Sequence, residues 1–257
     1  MAVSSKSIIH YTENLDTLKS IISDGHLRLK YCLEELKLFG KRSMSGAYPM
    51  VCFCDLPLTM AKEHIKKYGS YGIGFSKEWA RTNQLNPVFY LEANSNINKY
   101  ITEQSDEYIK NVDVKKVSKE ELANNFKLEQ EFARLTAFCK NHEGPLIRKG
   151  KPTIKNYTFY DEREWRYVPD SSLLGPLRLA LNADNYLADK ERYNQGLQAH
   201  NLCFEHSDIS YIIVKNESDI DAVSMSLTAK YAEDLNLRIM RKLLTKIISV
   251  QQIEDDF

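Results

Sequence analysis

A strand, a helix and a glycine follow one another at the start of the chain, and this order constrains the fold more than any other feature. The segment Ser7–Thr12 is short and rich in residues that favour strands. Thr12 is a suitable N-cap for the next segment, E-N-L-D-T-L-K-S-I-I-S-D, whose leucines and isoleucines recur on one helical face. Gly25 is expected to end that helix. A helix that directly follows a strand predicts a domain of packed strands and helices.

Short strand and helix patterns continue to the end of the chain, without an internal repeat or a linker rich in proline, glycine or serine. Further strands are predicted at Met50–Leu56, Tyr71–Ser76, Pro87–Glu92, Phe159–Pro169, Leu177–Leu181, Ile209–Lys215, Leu237–Leu243 and Ile247–Val250. Further helices are predicted at Thr59–Tyr68, Lys77–Arg81 and Asp219–Asp234. Residues 97–142 are polar and helical in pattern, with a capping box at Ser118–Glu121, whereas residues 140–157 have the character of a basic loop. We therefore predict a single α+β domain over residues 1–257, with a mainly helical insertion at about residues 97–150.

The composition excludes several classes of protein. Lys and Arg together number 35 and so do Asp and Glu, and the resulting net charge of zero gives no overall argument for nucleic-acid binding. The first residues lack an apolar stretch of signal-peptide length, and no apolar run approaches the roughly 18 residues of a membrane span. We therefore expect an unexported, cytoplasmic protein without membrane contact. The five cysteines are odd in number and lack the spacing of a zinc site, so we expect neither a disulfide framework nor a metal.

The densest cluster of ionisable residues is E-R-E-W-R-Y, within the predicted strand Phe159–Pro169. Alternation along a strand places Glu162, Glu164 and Arg166 on one face and the aromatic residues on the other, towards the core. Two carboxylates about 6–7 Å apart raise the pKa of one of them unless a cation offsets their repulsion. The segment is either a solvated strand face with an ion pair or a pair of acids that carries chemistry.

The segment H-Y-T at the end of the first strand is a second candidate. His10 and Thr12 point to the same side, directly before a helix N-terminus, where free backbone N–H groups suit a ribose or a phosphate. A single histidine at a strand end is equally an ordinary structural residue. A third group combines aromatic and polar side chains, most of which we expect in the core, while one or two can stack on a flat ring. Its members are Phe53, Asp55, Thr59, His64, Tyr68 and Tyr71.

These segments, taken in order, resemble known proteins. H-Y-T on a first strand, D-G-H-L after the first helix, V-C-F-C-D-L-P before another helix and E-R-E on a late strand resemble the ADP-ribosyltransferase superfamily. The segments Y-G-S-Y-G-I-G-F-S-K-E-W-A, N-P-V-F-Y, E-R-E-W-R-Y and I-I-S-V-Q-Q-I-E-D-D-F are similar to the AbiGi-like abortive-infection proteins of bacteria, over nearly the whole chain. The resemblance implies an ADP-ribosyltransferase-like α+β fold, with split mixed and antiparallel sheets flanked by helices.

The resemblance also implies a cleft that binds NAD, the donor of ADP-ribose. His10 would bond the adenosine-side ribose, the Tyr11 backbone would hold the nicotinamide amide, and Thr12 would support that contact. Phe53 stands where a tyrosine often stacks on nicotinamide. The aromatic residues that can replace it are Tyr68 and Tyr71.

Two glutamates would then act on the reacting groups. The resemblance implies that Glu164 bonds a hydroxyl of the nicotinamide ribose, while Glu162 orients or deprotonates the acceptor. Cleavage of the nicotinamide–ribose bond passes through a cation-like transition state, as in glycoside cleavage, and a fixed carboxylate stabilises that charge. A second acid beside it is placed to act as a general base.

The function that follows is an NAD-dependent mono-ADP-ribosyltransferase toxin of a bacterial abortive-infection or toxin–antitoxin system, with a cognate antitoxin protein as partner. Basic stretches at residues 28–42 and 140–155, interleaved with aromatic residues, favour a nucleic acid acceptor, RNA first, although they also fit an ordinary solvated face. One alternative is a metal-dependent nuclease that uses Asp55, Glu162 and Glu164 on Mg²⁺. The other is a non-catalytic binding module, such as the antitoxin of a pair.

Overall fold

The computed structural model describes residues 5–112, 119–147, 152–234 and 236–256. Its strands are β1 Ser7–Thr12, β2 His26–Leu27, β3 Lys30–Leu38, β4 Arg42–Cys54, β5 Tyr71–Ser76, β6 Asn86–Pro87, β7 Phe89–Leu91, β8 Cys139–Asn141, β9 Glu143–Leu146, β10 Ile154–Thr158, β11 Glu164–Tyr167, β12 Leu181–Asn182, β13 Leu202–Cys203, β14 Ile209–Val214 and β15 Ile247–Ser249. Its helices are α1 Leu15–Asp24, α2 Lys62–Tyr68, α3 Lys77–Thr82, α4 Asn96–Val112, α5 Lys119–Ala137, α6 Ala183–Ala188, α7 Lys190–Gly196, α8 Asp219–Tyr231, α9 Leu237–Leu244 and α10 Val250–Asp256. The predicted mixture of strands and helices is confirmed.

The main sheet is built around β4. Its strands follow the order β15–β14–β5–β1–β4–β11–β6, and β3 and β12 also pair with β4. All of these pairs are antiparallel except β14 and β15, which run parallel. β3 accompanies β4 as far as Met50, whereas β1 and β11 meet its other end at Cys54. The end of β4 is therefore flanked on both sides by strands that come from distant parts of the sequence.

Helices bury both faces of this sheet. On one face, Ile8 and Ile73 are buried with Leu18 of α1 and with residues of α8 in the main core cluster. On the other face, Ile65 of α2 and Ile253 of α10 are buried against β1 and β14. Each of these fully buried aliphatic side chains contributes roughly 1.5–3 kcal/mol relative to an exposed one. Packing on both faces fixes the positions of β1, β4 and β11 relative to one another.

The first strand and helix form as predicted, with one difference at the cap. The side chain of Asn14, rather than Thr12, accepts the hydrogen bond from the Thr17 backbone N–H, so α1 begins at Leu15. Gly25 ends the helix at φ 69°, in the left-handed conformation that glycine adopts without strain. Asn and Thr are both good N-caps, and the sequence offers them two positions apart, which explains the shift.

The segment E-R-E-W-R-Y differs from the predicted long strand. Phe159–Glu162 forms a turn of 3₁₀ helix, Arg163 has a positive φ of 46°, and only Glu164–Tyr167 pairs as a strand. The side of β11 that carries Glu164 and Arg166 is the more deeply buried one, because other charged side chains cover it. The predicted contact of Trp165 and Tyr167 with the core is confirmed, because both pack against the main core cluster, but the charged side of the strand is buried as well.

Two more predicted strands are wrong or shortened. Leu237–Leu244 is the helix α9, which begins where the Asn236 side chain caps the Ile239 N–H. Within the predicted strand Leu177–Leu181, only Leu181 pairs, with Ala47 of β4. Both segments have apolar residues at short spacing, a pattern that does not distinguish a short strand from a buried helix.

The central polar region contains the helices α4 and α5, as its pattern predicts. Ser118, the first residue of the predicted capping box, lies outside the described residues. The basic segment after α5 was predicted as a loop, yet β8 pairs in parallel with β7 and β9 pairs with β10. Within the described ranges, no helix has both the length and the apolar character that crossing a bilayer requires.

Candidate functional site

A cavity of about 530 Å³ lies over the end of β4 and collects most of the predicted site residues. The predicted residues that line it are His10, Tyr11, Phe53, Tyr68, Glu162 and Glu164. Thr12 and Tyr71 do not line it, and the Tyr71 hydroxyl instead donates a hydrogen bond to Asp219 at 3.1 Å. The candidate site is therefore a single cavity built from four parts of the chain.

β1 and β11 reach this cavity from the two sides of β4. Ile9 of β1 and Glu164 of β11 are both register partners of Cys54. Directly opposed residues of antiparallel strands share a face, so Glu164 lies on the same face as Ile9. His10 is on the other face, where its ring packs edge-on against Phe53 at 5.8 Å. The two predicted strands thus belong to one sheet, with β4 between them.

A gap in the sheet explains the position of His10. β3 pairs with β4 only as far as Met50, and β1 pairs only at Cys54, so no strand of the described residues bonds the Cys52 carbonyl on this edge of β4. His10 Nδ1 donates to that carbonyl at 2.8 Å. Burial lowers the pKa of His10, although the Cys52 carbonyl partly offsets it, and the ring is neutral near pH 7. Because Nδ1 carries the proton, Nε2 is left as a hydrogen-bond acceptor.

The two predicted glutamates converge on a lysine, although only Glu164 is on the strand. Arg163 turns the chain between them, and both carboxyl groups then reach Lys140 of β8. Lys140 Nζ lies 2.9 Å from Glu162 Oε2 and 2.8 Å from Glu164 Oε2. Lys140 therefore bridges the pair across the cavity floor.

Glu164 is the ionised member of the pair. Arg166, which has no solvent exposure, donates from Nε to Glu164 Oε1 at 2.8 Å and from Nη2 to Oε2 at 3.2 Å. Burial alone would raise the pKa of Glu164, but the charges and hydrogen bonds of Arg166 and Lys140 outweigh burial and hold the pKa well below its usual range. Arg166 Nη2 also pairs with Glu34 at 3.1 Å.

Glu162 is the protonated member. Its side chain is 3% exposed, and burial, together with the negative charges of Glu164 and Glu34, raises its pKa to about 9. The positive charges of Arg166 and Lys67 lower this pKa by less than burial and the two carboxylates raise it. The contact between Lys140 and Glu162 is therefore a hydrogen bond to a neutral acid near pH 7, rather than an ion pair.

A row of aromatic rings leads from β1 to Glu162. Tyr11 packs on His64 at 5.0 Å, and His64 stacks on Tyr68 at 4.3 Å. A short hydrogen bond joins the Tyr68 hydroxyl and Glu162 Oε1. The Tyr11 hydroxyl is buried and has no hydrogen-bond partner in the part of the chain that the structure describes. A buried hydroxyl of this kind is available to a bound polar group.

Phe53 is less suited to stacking than the sequence predicts. Its side chain is 3% exposed, and its ring packs edge-on against Phe75 and Trp79 in the main core. Tyr71 lies outside the cavity, so Tyr68 is the predicted aromatic residue with a ring at the site.

The sequence did not single out Lys140 or His64 as site residues with a role in the chemistry. Lys140 reaches the site because β8 pairs in parallel with β7, in a register that places it beside Tyr90, whose hydroxyl in turn accepts from the Glu164 N–H at 2.9 Å. Nothing in the local pattern around Lys140 signals that pairing. The i, i+4 spacing of His64 and Tyr68 on one helix was a visible signal, because such residues stack on one face.

Two of the carboxylates predicted to bind Mg²⁺, Asp55 and Glu164, are engaged by other side chains. Asp55 Oδ2 pairs with Lys77 at 2.6 Å, and its Oδ1 accepts from the Ser5 N–H. Glu164 has both oxygens in ion pairs. Among the described residues, no three His, Cys, Asp or Glu side chains are grouped so that they could hold a metal ion.

Comparison with known proteins gives two matches. A protein family described as "Putative abortive phage resistance protein AbiGi, antitoxin" matches residues 26–215. The abortive phage resistance protein AbiGi of Lactococcus lactis subsp. cremoris is 25% identical over 274 residues, which cover 96% of this chain and 98% of that protein. No solved structure matches the chain.

Proposed function

The chain belongs to the AbiGi family of abortive phage resistance proteins, and we propose that it acts in phage defence as an NAD-dependent ADP-ribosyltransferase. The observation that carries the proposal is the cavity, which brings His10, Tyr11, Tyr68, Glu162 and Glu164 together from distant parts of the sequence. These are residue types that the resemblance assigned to NAD binding and transfer. The interrupted sheet at Cys52, with His10 in the gap, is also in keeping with the split sheet of that superfamily.

The residues present fit the chemistry of NAD. The neutral His10 ring offers an acceptor at Nε2, and the buried Tyr11 hydroxyl offers a hydrogen-bonding group without a protein partner among the described residues. Both suit ribose hydroxyls or the nicotinamide amide. The Tyr68 ring offers a flat surface, and exposed Lys37 at the rim of the cavity suits a pyrophosphate. NAD would supply a nicotinamide leaving group and an activated ribose carbon.

The two glutamates have different tasks in this proposal. Glu164 keeps a negative charge at the cavity floor, where a nearby positive charge that develops during transfer is stabilised. Glu162 is the group that exchanges a proton, because its pKa of about 9 makes the ionised form a strong base. Lys140 and the Tyr68 hydroxyl hold the two Glu162 oxygens and so fix the direction of proton uptake. The proton comes from the acceptor nucleophile.

An RNA acceptor stays a prediction. Several of the basic residues on which it depended have other partners: Arg28 pairs with Asp24, Arg42 pairs with Asp106, and Lys140 lies between the glutamates. Exposed Lys30 and Lys37 remain available from the first basic stretch. An RNA acceptor predicts that transfer falls steeply with salt concentration.

A second candidate function is that of a non-catalytic antitoxin. The description of the matched family contains that word. The saturation of Glu164 by Arg166 and Lys140 also favours it, because a carboxylate with both oxygens in ion pairs has little capacity for a substrate hydroxyl. This candidate predicts that expression of the chain alone is harmless, and that it binds and neutralises a toxic partner.

The two candidates differ in one experiment. The purified protein is incubated with NAD labelled on the adenylate phosphate, together with total cellular RNA, DNA or protein, and incorporated label is measured. The transferase proposal predicts label in one of these fractions with wild type and none with Glu162→Gln, while the conservative surface variant Tyr100→Phe transfers as wild type does. Absence of transfer to every fraction, combined with harmless expression, would leave the antitoxin candidate.

A further inference from the structure

The outer edge of β3 has a short opening between two sealed ends. β3 pairs with β4 in an unbroken register from Lys30 opposite Met50 to Leu38 opposite Arg42. In such an antiparallel ladder, every second residue directs its backbone N–H and C=O away from the partner strand. On β3 these are the odd-numbered residues, as the contacts of the two sealed ends demonstrate.

The first sealed end is at Tyr31. Its backbone N–H donates to Asn194 Oδ1 at 2.8 Å, and its carbonyl accepts from the Tyr186 hydroxyl at 2.7 Å. Side chains from α7 and α6 thus replace a neighbouring strand.

The second sealed end is at Lys37. Its backbone N–H donates to Asn141 Oδ1 at 2.8 Å. Its carbonyl accepts from Asn141 Nδ2 at 3.0 Å and from Asn98 Nδ2 at 3.1 Å. Two side-chain amides therefore occupy the positions that a strand would take.

Between these ends, the backbone groups of Leu33 and Glu35 point outward. Among the residues that the structure describes, neither has a hydrogen-bond partner for these groups, and β3 has no strand partner other than β4. Both residues line the cavity, and Leu33 is 42% exposed although it is apolar. Natural proteins usually cover or seal such an edge, as this chain does on either side.

We infer that the Leu33–Glu35 edge binds an extended segment of a partner protein, which adds to β3 as a strand. An extended backbone presents donors and acceptors with the same two-residue repeat as the free groups. Leu33 and Glu35 share one face of the strand, so complementary side chains on the partner are an apolar residue and a basic residue at alternate positions.

The cavity provides further contact for this segment. Gly144–Ile147, from β9 and the residue after it, line the same cavity, and Ile147 is 71% exposed. An added strand gains apolar contact with Leu33 on one side and with this segment on the other. Because the cavity also contains Glu162, a docked segment reduces access to that carboxyl group. The inference does not depend on catalysis at that site.

Selection from a library of random peptides displayed on phage, followed by synthesis of the selected peptides, tests the inference. N-methylation of a peptide at alternate residues is expected to weaken binding about tenfold or more per site, whereas methylation at the intervening residues leaves it nearly unchanged. Hydrogen exchange adds a residue-level readout. The amides of Leu33 and Glu35 exchange fast in the free protein and slowly in the complex, while those of Tyr31 and Lys37 are protected in both.

Two variants match the peptide experiment. Leu33→Pro removes the outward N–H without disturbing the hydrogen bonds with β4, and it is expected to abolish peptide binding. Leu33→Ala keeps that N–H and loses only the apolar contact, so the affinity for the peptide is expected to fall about tenfold or less. If the proline variant does not fold, the binding of the N-methylated peptides to the wild-type protein tests the inference instead. Failure to select any binding peptide, uniform sensitivity to methylation or unchanged exchange at Leu33 and Glu35 would each overturn the inference. None of these measurements uses NAD or a Glu162 variant, so the test remains valid if the transferase proposal fails.

Discussion

Replacement of Glu162 by glutamine should change how the stability of the protein depends on pH. Glutamine has the shape of a protonated glutamate and cannot ionise. In wild type, the folded-state pKa of Glu162 is about 9, whereas an unfolded glutamate has the ordinary value of 4.5. Between these values the folded state holds one proton that the unfolded state has lost. The stabilising contribution of the protonated group is complete below pH 4.5 and is lost as the pH rises towards 9.

The expected size follows from this proton difference. Each pH unit in that window lowers the free energy of unfolding of wild type by about 1.4 kcal/mol through Glu162, and the variant lacks this slope. The stability of Glu162→Gln relative to wild type should therefore rise by about 2.7 kcal/mol between pH 6 and pH 8. The groups that set this pKa are Glu164, Glu34, Arg166, Lys67, Lys140 and Tyr68.

Urea unfolding at pH 6, 7 and 8, monitored by tryptophan fluorescence, measures this difference. Glu63→Gln is the matched control. Glu63 is an exposed carboxylate whose pKa the neighbouring Lys66 lowers, so it is ionised in both folded and unfolded states over this range and its replacement changes stability by an amount that does not depend on pH. A Glu162→Gln difference that stays constant from pH 6 to pH 8 would refute the protonated state of Glu162.

Two further perturbations follow from the structure. Arg166→Met removes the buried cation beside Glu164 and should lower the free energy of unfolding by about 3–5 kcal/mol. The double variant that also carries Glu164→Gln should lose less stability, because no unpaired carboxylate is left buried. Equal losses of stability in urea unfolding would contradict the buried ion pair. Gly69→Ala should lower the free energy of unfolding by about 3 kcal/mol or more, because Gly69 has φ 122° and an added Cβ would clash with the Thr12 carbonyl. Gly40→Ala should lower it by about 1–2 kcal/mol, because Gly40 has φ 74° and open space around it. Thermal unfolding compares the two glycine variants, and similar melting temperatures would argue against a close approach at Gly69.

Local signals in the sequence were sufficient for the elements that frame the site. The strand Ser7–Thr12 and the stop at Gly25 depend on neighbours within a few residues, and the structure has both. The helix at Leu237–Leu244 was misassigned, since its apolar spacing fits either a short strand or a helix and only tertiary packing distinguishes them. The strands β9 and β10 were missed because each gains stability only from the other.

The residues of the candidate site also fall into those that the sequence identified and those that it did not. His10 and Glu164 were identifiable from their place on short strands and from the family resemblance. Glu162 was also identified as the group that acts on the acceptor, through the resemblance. Its contact with Lys140 was not, because that contact arises from a parallel pairing between β7 and β8 and from a turn at Arg163. Which glutamate holds a proton depends on the cations that burial places beside each one, and no spacing rule supplies that information.

The pH dependence of ADP-ribosyl transfer tests the central claim most directly. Nicotinamide release from NAD, with water as the acceptor of the ADP-ribosyl group, is measured from pH 6 to pH 9 with the purified protein and corrected for the uncatalysed reaction. If Glu162 is the base, the rate should rise about tenfold per pH unit from pH 6 to pH 8 and level off near pH 9, and Glu162→Gln should abolish the release. Release by wild type no faster than in the protein-free reaction, or release unaffected by Glu162→Gln, would contradict the account.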